Sequence, residues 1–192
     1  KGRAVVFLVV MVALLLFGSG FCGLLYQTAW IRELRLIFGM STLATASVLA
    51  VYMGGLGLGG LLFGRRVDRS PQPLRLYGLL EVGVALSAVL TPLLVWLARE
   101  AYLGLGGAAA LGPTGSTVLR LLLAAGVLAV PTLLMGGTLP AAIRAVQTEA
   151  DQSRSRAAVL YGVNTLGAVA GSGCSVFFLL EVLGVARLLA VG

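Results

Sequence analysis

Residues 54–73 read GGLGLGGLLFGRRVDRSPQP, a glycine-studded apolar run that meets three arginines, an aspartate and two prolines. Two structures could produce such a junction. One is a membrane-crossing helix that ends in a charged turn; the other is a glycine-rich loop that cradles a phosphate. A phosphate loop of the Walker type closes on Gly-Lys-Ser/Thr, and this run has no lysine. Its glycines instead recur at helical spacing, Gly55 with Gly59 and Gly60 with Gly64. Small residues four apart let two membrane helices approach until their backbones touch. Gly167 and Gly171 repeat the spacing further along the chain. Glycine is also tolerated generally in membrane helices, so the spacing has a bland explanation as well. Both explanations make the run a helix ending in a turn, and the phosphate reading fails.

Composition agrees. Of the 192 residues 59% are hydrophobic and 11% charged, against about 25% charged in an average globular chain. That leaves too little polar surface to clothe a soluble core. Five apolar runs are long enough to cross a bilayer as helices. They cover approximately Val5–Tyr26, Leu43–Phe63, Leu76–Ala98, Val118–Pro140 and Ala157–Val182. The closing GVARLLAVG looks like the opening of a sixth span, so the natural chain is expected to continue past Gly192. The fold class is therefore all-α: one polytopic transmembrane bundle over residues 1–192, with five spans and the start of a sixth. The basic start and apolar run at the N-terminus could pass for a signal peptide. However, the run continues past Cys22 to Leu25, and Phe21 stands where a lipoprotein signal needs a small residue.

The formal charge of +7 sits mostly between the spans. With the N-terminus inside, nine of the fourteen basic residues fall on the cytoplasmic side: Lys1, Arg3, Arg65, Arg66, Arg69, Arg75, Arg144, Arg154 and Arg156. The positive-inside rule then gives a multi-pass protein of a bacterial inner membrane with a cytoplasmic N-terminus. No basic patch with interleaved aromatics suggests nucleic acid. Between the first two spans, AWIRELRLIFGM places Trp30, Leu34, Ile37 and Phe38 on one helical face. It suits either a short interfacial helix or a continuation of the first span with snorkelling arginines. The segment AYLGLGGAAALGPTGST, residues 101–117, reads as an outer loop or a shallow re-entrant turn.

Chemistry-bearing residues are few. There is no histidine, and the two cysteines, Cys22 and Cys174, lie inside apolar runs as small hydrophobes. No catalytic residue and no metal site are expected, and no cofactor within this chain. Glu81 is the candidate ligand-binding residue, because a carboxylate at membrane depth is costly unless paired or hydrated. A cationic substrate would suit it, with Tyr161 and Asn164 entering from the fifth span as further ligand contacts. A local pairing is the alternative, with Tyr161, Asn164, Thr165 or Arg144 as partner. Glu181 near the outer end of the fifth span reads as an interfacial charge beside Arg187. Pro92, Pro131 and Pro140 interrupt helices, as they do in many membrane proteins.

Gly64, Asp68 and Arg69 form a G-x-x-x-D-R pattern between the second and third spans. It is similar to the loop motif of major facilitator transporters, where acid and base brace neighbouring helix ends; six helices would be half of such a transporter. A longer resemblance runs through GLLYQTAWIRELRLIFG, LAVYMGGLGLGGLLFGRRVDR, LRLYGLLEVGVAL, MGGTLPAAIRAV and LYGVNTLGAVAG, in that order. Together these resemble the membrane module of spermidine synthase-like bacterial proteins. The resemblance implies a soluble aminopropyltransferase domain after the helices, binding decarboxylated S-adenosylmethionine and a diamine. None of these residues forms such a domain, so aminopropyl transfer would lie beyond Gly192. The module would anchor or serve the enzyme and could pass a polyamine or another cation. Its partners would be the bilayer and its own soluble domain or other membrane subunits. Two alternatives stand beside this: a non-catalytic accessory subunit packed into a larger membrane complex, and a small facilitator-type transporter working as a homodimer.

Overall fold

Long apolar runs without internal turn signals fold as helices in a bilayer, where every backbone polar group must be satisfied within its own segment. The computed structural model describes residues 2–38, 42–147 and 155–179. Among these the chain is helical apart from short turns, with α1 over Gly2–Phe38, α2 over Thr42–Asp68, α3 over Pro73–Gly104, α4 over Gly107–Val146 and α5 over Ser155–Cys174. One π-helical turn, Ser175–Leu179, follows α5. All five helices are long and apolar enough to cross a membrane. The anticipated sixth span, with Glu181 and Arg187, lies outside the described residues.

The helices are longer than the apolar runs suggest. The segment after the first span continues it: α1 carries on to Phe38, with Trp30 and Leu34 buried. Residues 101–117 are helical rather than a loop, divided between the end of α3 and the start of α4. The chain reverses there at Gly106, whose φ of 79° lies in the left-handed region open chiefly to glycine. Gly107 follows with φ 54°, and a third such residue, Gly112 with φ 66°, kinks α4 just before Pro113. Prolines inside a helix each remove the backbone bond to the carbonyl four residues back, and the neighbouring threonines make i−4 bonds of their own one position away. Thr91 beside Pro92 donates to the Ser87 carbonyl at 2.9 Å, and Thr132 beside Pro131 donates to the Leu128 carbonyl at 2.7 Å.

Three seams hold the bundle: α2 against α4, α3 against α4, and α1 against α5. The α2/α4 seam is built on glycine. A Cβ on Gly55 would lie 2.6 Å from Thr132 Cβ, and one on Gly59 would lie 2.8 Å from the Leu133 carbonyl carbon. Gly136 returns the approach, with the Gly60 amide nitrogen 2.7 Å from its would-be Cβ. The α1/α5 seam uses the same device: Gly167 packs on the backbone of Phe17, and Gly171 on that of Phe21. With no hydrophobic drive between helices in lipid, such backbone contact supplies the dispersion that holds them together.

The buried side chains form two clusters stacked along the helix axes. One gathers Tyr26, Trp30, Leu34, Tyr52, Ala88 and Leu128. The other gathers Val12, Leu16, Val67, Tyr77, Leu80 and Leu160. On α3 the boundary falls between Leu80 and Val84, and Glu81 stands at that level.

Candidate functional site

Glu81 projects from α3 toward α1. It lies eight residues into α3, about 12 Å along the axis from Pro73. On the same helix Tyr77 sits one turn earlier, so its ring shares the face of Glu81. Across the gap, Ser19 comes from the FGSGF stretch of α1. The hydroxyls of Ser19 and Tyr77 lie beside the Glu81 carboxyl and interact with it. One carboxyl oxygen, Oε1, is buried and has no hydrogen-bond partner. Two hydroxyls thus face the group, and one acceptor is left over.

These residues line a cleft of about 560 Å³ between α1 and α3, closed at the back by Met135 of α4. That volume lies within the range of small-molecule sites. The walls are largely apolar, with Leu14, Leu15, Val84 and Ala85 among them. Cys22 and Tyr26 complete the polar patch on α1, one and two turns beyond Ser19. Gly18 and Gly78 face the cleft from its two sides, and a Cβ built on either would meet nothing within 4 Å. The cleft exists because α1 and α3 scarcely touch. Each is held elsewhere, α1 by α5 and α3 by α4.

The other candidate residues are dispersed. Tyr161 is 60% exposed on the outer face of α5. Asn164 is half-buried and lies against Gly20 of α1. Neither lines the Glu81 cleft. Thr165 donates to the Tyr161 carbonyl at 2.9 Å, within its own helix. Arg144, exposed at the end of α4, lines a separate hollow of about 290 Å³ with Asp68, Pro140 and Gln147. Gly64 has open space around it, and Arg69 is exposed in the turn after α2. That turn is closed by a bond from the Ser70 amide to the Val67 carbonyl at 3.0 Å. Near the α3–α4 reversal, Arg120 donates to the Tyr102 hydroxyl through Nε at 3.1 Å and Nη2 at 2.7 Å. Neither Cys22 nor Cys174 forms a disulfide among the described residues. Among the described residues, no three histidine, cysteine or acidic side chains converge as a metal site would require.

Two contributors to the cleft escaped the sequence reading. Tyr77 had a signal, standing four residues before Glu81 in a helix. Ser19 had none beyond being a hydroxyl in an apolar run, because no periodicity reveals which helix will face α3.

The architecture is that of a multi-pass helical membrane protein, with Glu81 set in a largely apolar cleft among the described residues. No family model matches the sequence, and comparisons with curated proteins and with solved structures found no match either.

Proposed function

We propose that the chain is the membrane module of a spermidine synthase-like protein and that it holds a cationic amine against Glu81. The observation carrying the ligand reading is the buried Glu81 oxygen left without a partner in an otherwise apolar cleft. Intramembrane carboxylates are costly and rarely retained without a task. An ammonium group supplies what the site lacks, a charge partner and N–H donors for its free acceptor. In such a protein the module keeps the amine at the membrane, beside an aminopropyltransferase that follows in the chain or docks on it. The arginine-rich turn at Arg65, Arg66 and Arg69 is the docking side, facing the cytoplasm in the orientation given by the basic residues.

Equilibrium binding of a panel of amines to the protein in phosphatidylcholine nanodiscs tests the ligand reading. At least one amine is expected to bind about ten- to a hundredfold more weakly to E81Q, the usual worth of a hydrogen bond to a charged group. Identical binding by wild type and E81Q across the panel would end it. The enzyme-anchor reading is tested by the intact mass of the natural protein and peptide sequencing past Gly192. A glycine-rich adenosyl-binding loop in the continuation supports it, whereas a mass near 19.7 kDa sinks the fused enzyme.

A second reading, an accessory subunit in a larger membrane assembly, draws on one feature of α2. Gly54 and Gly57 are exposed, with nothing within 4 Å of a would-be Cβ. Co-purification of further membrane subunits, abolished by Gly57→Leu, is the outcome it requires.

A further inference from the structure

We infer that the occupant of the Glu81 cleft is an amphiphile with a single primary ammonium and an apolar tail, entering sideways from the bilayer. This rests on the amine reading of the site and narrows its substrate class. Three observations carry it.

The first is charge. Glu81 is the one charged residue among the fifteen that line the cleft. A second ammonium on the same ligand would lie against leucine, valine and methionine with no counter-charge, where an unpaired charge is strongly disfavoured. A multiply charged polyamine therefore fits poorly, and a single cation fits well.

The second is the headgroup. An ammonium carries three N–H donors. The free Glu81 oxygen and the lone pairs of the Ser19 and Tyr77 hydroxyls provide three acceptors in one cluster. A quaternary ammonium has no N–H to offer them. A primary amine satisfies the set.

The third is the approach. From Met11 to Gly18, about 10 Å along α1, the helix brings only apolar residues to the cleft. Polar residues begin at Ser19. At the rim, Leu14 is 69% exposed, Leu15 48% and Leu74 39%. Leu14 and Leu15 lie well inside the first apolar run, on the outer surface that meets lipid in a spanning bundle, so beside α1 the mouth opens onto acyl chains. The empty space beside Gly18 and Gly78 leaves a channel for an alkyl chain between the helices. The ammonium then rests at Glu81 while the tail passes between Gly18 and Gly78 and out past Leu14 and Leu15 into the acyl chains.

Dodecylamine is the probe, radiolabelled and titrated onto the purified full chain in phosphatidylcholine nanodiscs, whose lipid carries no N–H. One saturable site per chain is expected, lost in E81Q. Spermidine and butylamine should compete at least about tenfold more weakly, and dodecanol and dodecyltrimethylammonium no better than that. Because E81Q alters the headgroup site itself, Gly78→Leu provides a second test. It places a branched side chain in space that no neighbour occupies, so the bundle's thermal unfolding midpoint should hold or rise while dodecylamine is excluded. Spermidine binding at Glu81 more tightly than dodecylamine overturns the amphiphile inference and leaves the amine site standing. Unimpaired dodecylamine binding by Gly78→Leu overturns the proposed path of the tail. Absence of Glu81-dependent binding by any amine overturns both this inference and the reading beneath it.

Discussion

The α2/α4 seam and the α1/α3 cleft use the same residue type for opposite ends. In the seam, Gly55, Gly59 and Gly136 remove side chains so that two backbones can meet, and nothing else fits between them. In the cleft, Gly18 and Gly78 remove side chains where no backbone approaches, and the space stays open beside Glu81. A glycine in a membrane helix therefore has no single meaning. What separates the cases is whether a neighbouring helix is held close enough to fill the gap. The seam spends its glycines on stability, whereas the cleft leaves them as room for a ligand.

The contrast breaks most visibly at Gly59. Gly59→Val puts a branched side chain where the Leu133 backbone already lies, and no rotamer relieves a clash made at Cβ. Overpacking of this kind costs about 3 kcal/mol or more, read as a fall in the unfolding midpoint in detergent. Stability unchanged by Gly59→Val would mean that the seam is not packed as described. Glu81→Leu comes next and has the opposite sign. Replacing an ionisable group in an apolar setting by a hydrophobe of similar size is expected to stabilise by about 1–3 kcal/mol, while amine binding disappears. A destabilised Glu81→Leu would instead make the Ser19–Tyr77–Glu81 cluster a structural clasp. Tyr77→Phe is smaller again. Losing one hydroxyl acceptor should weaken amine binding about fivefold, near 1 kcal/mol, and a binding curve indistinguishable from wild type would remove Tyr77 from the site.

How much of this could be read from the residues follows from the physics of lipid. The five spans were legible because a bilayer demands long apolar runs, and α1 to α5 contain them. The glycine spacings of α2 and α5 were legible as packing faces, although their partners were not. In a soluble bundle an apolar stripe points to the core. Here the lipid-facing surface is as apolar as the interior, with Leu61, Leu79 and Leu122 exposed beside buried Leu80 and Leu128. No stripe could therefore announce that α1 pairs with α5 rather than with its sequence neighbour. The same loss of contrast hid the cleft. Glu81 stood out as an acid among leucines, but its partner Ser19 lies 62 residues away on a helix whose orientation only the packing decides. Tyr161 and Asn164 share a plausible depth with Glu81, yet neither lines its cleft. Helix ends were the remaining difficulty. Hydropathy marks where the apolar run stops, whereas α1 and α4 continue through polar or glycine-rich turns that still satisfy their backbones as helix.

The smallest effect tests the comparison most sharply, because it asks one substitution to change sign between the two regions. Gly78→Ala adds a single methyl in the cleft, where nothing lies within 4 Å. The methyl meets no resistance, and alanine loses less conformational freedom than glycine on entering a helix. The variant should gain about 0.5–1 kcal/mol. Gly171→Ala adds the same methyl against Phe21 of α1, whose carbonyl carbon would lie 2.7 Å away. There the helix-propensity gain is outweighed by forced separation of α1 and α5, and the variant should lose about 1–3 kcal/mol. Unfolding of the two single variants and the double variant, followed in one detergent, separates these contributions. The glycines lie on different helices and no atom comes within 4 Å of the Gly78 position, so their effects should add within about 0.5 kcal/mol. A loss at Gly78 would mean that another element closes the cleft in the membrane. The space beside Glu81 would then be a packing surface, and the amphiphile would have no room to bind.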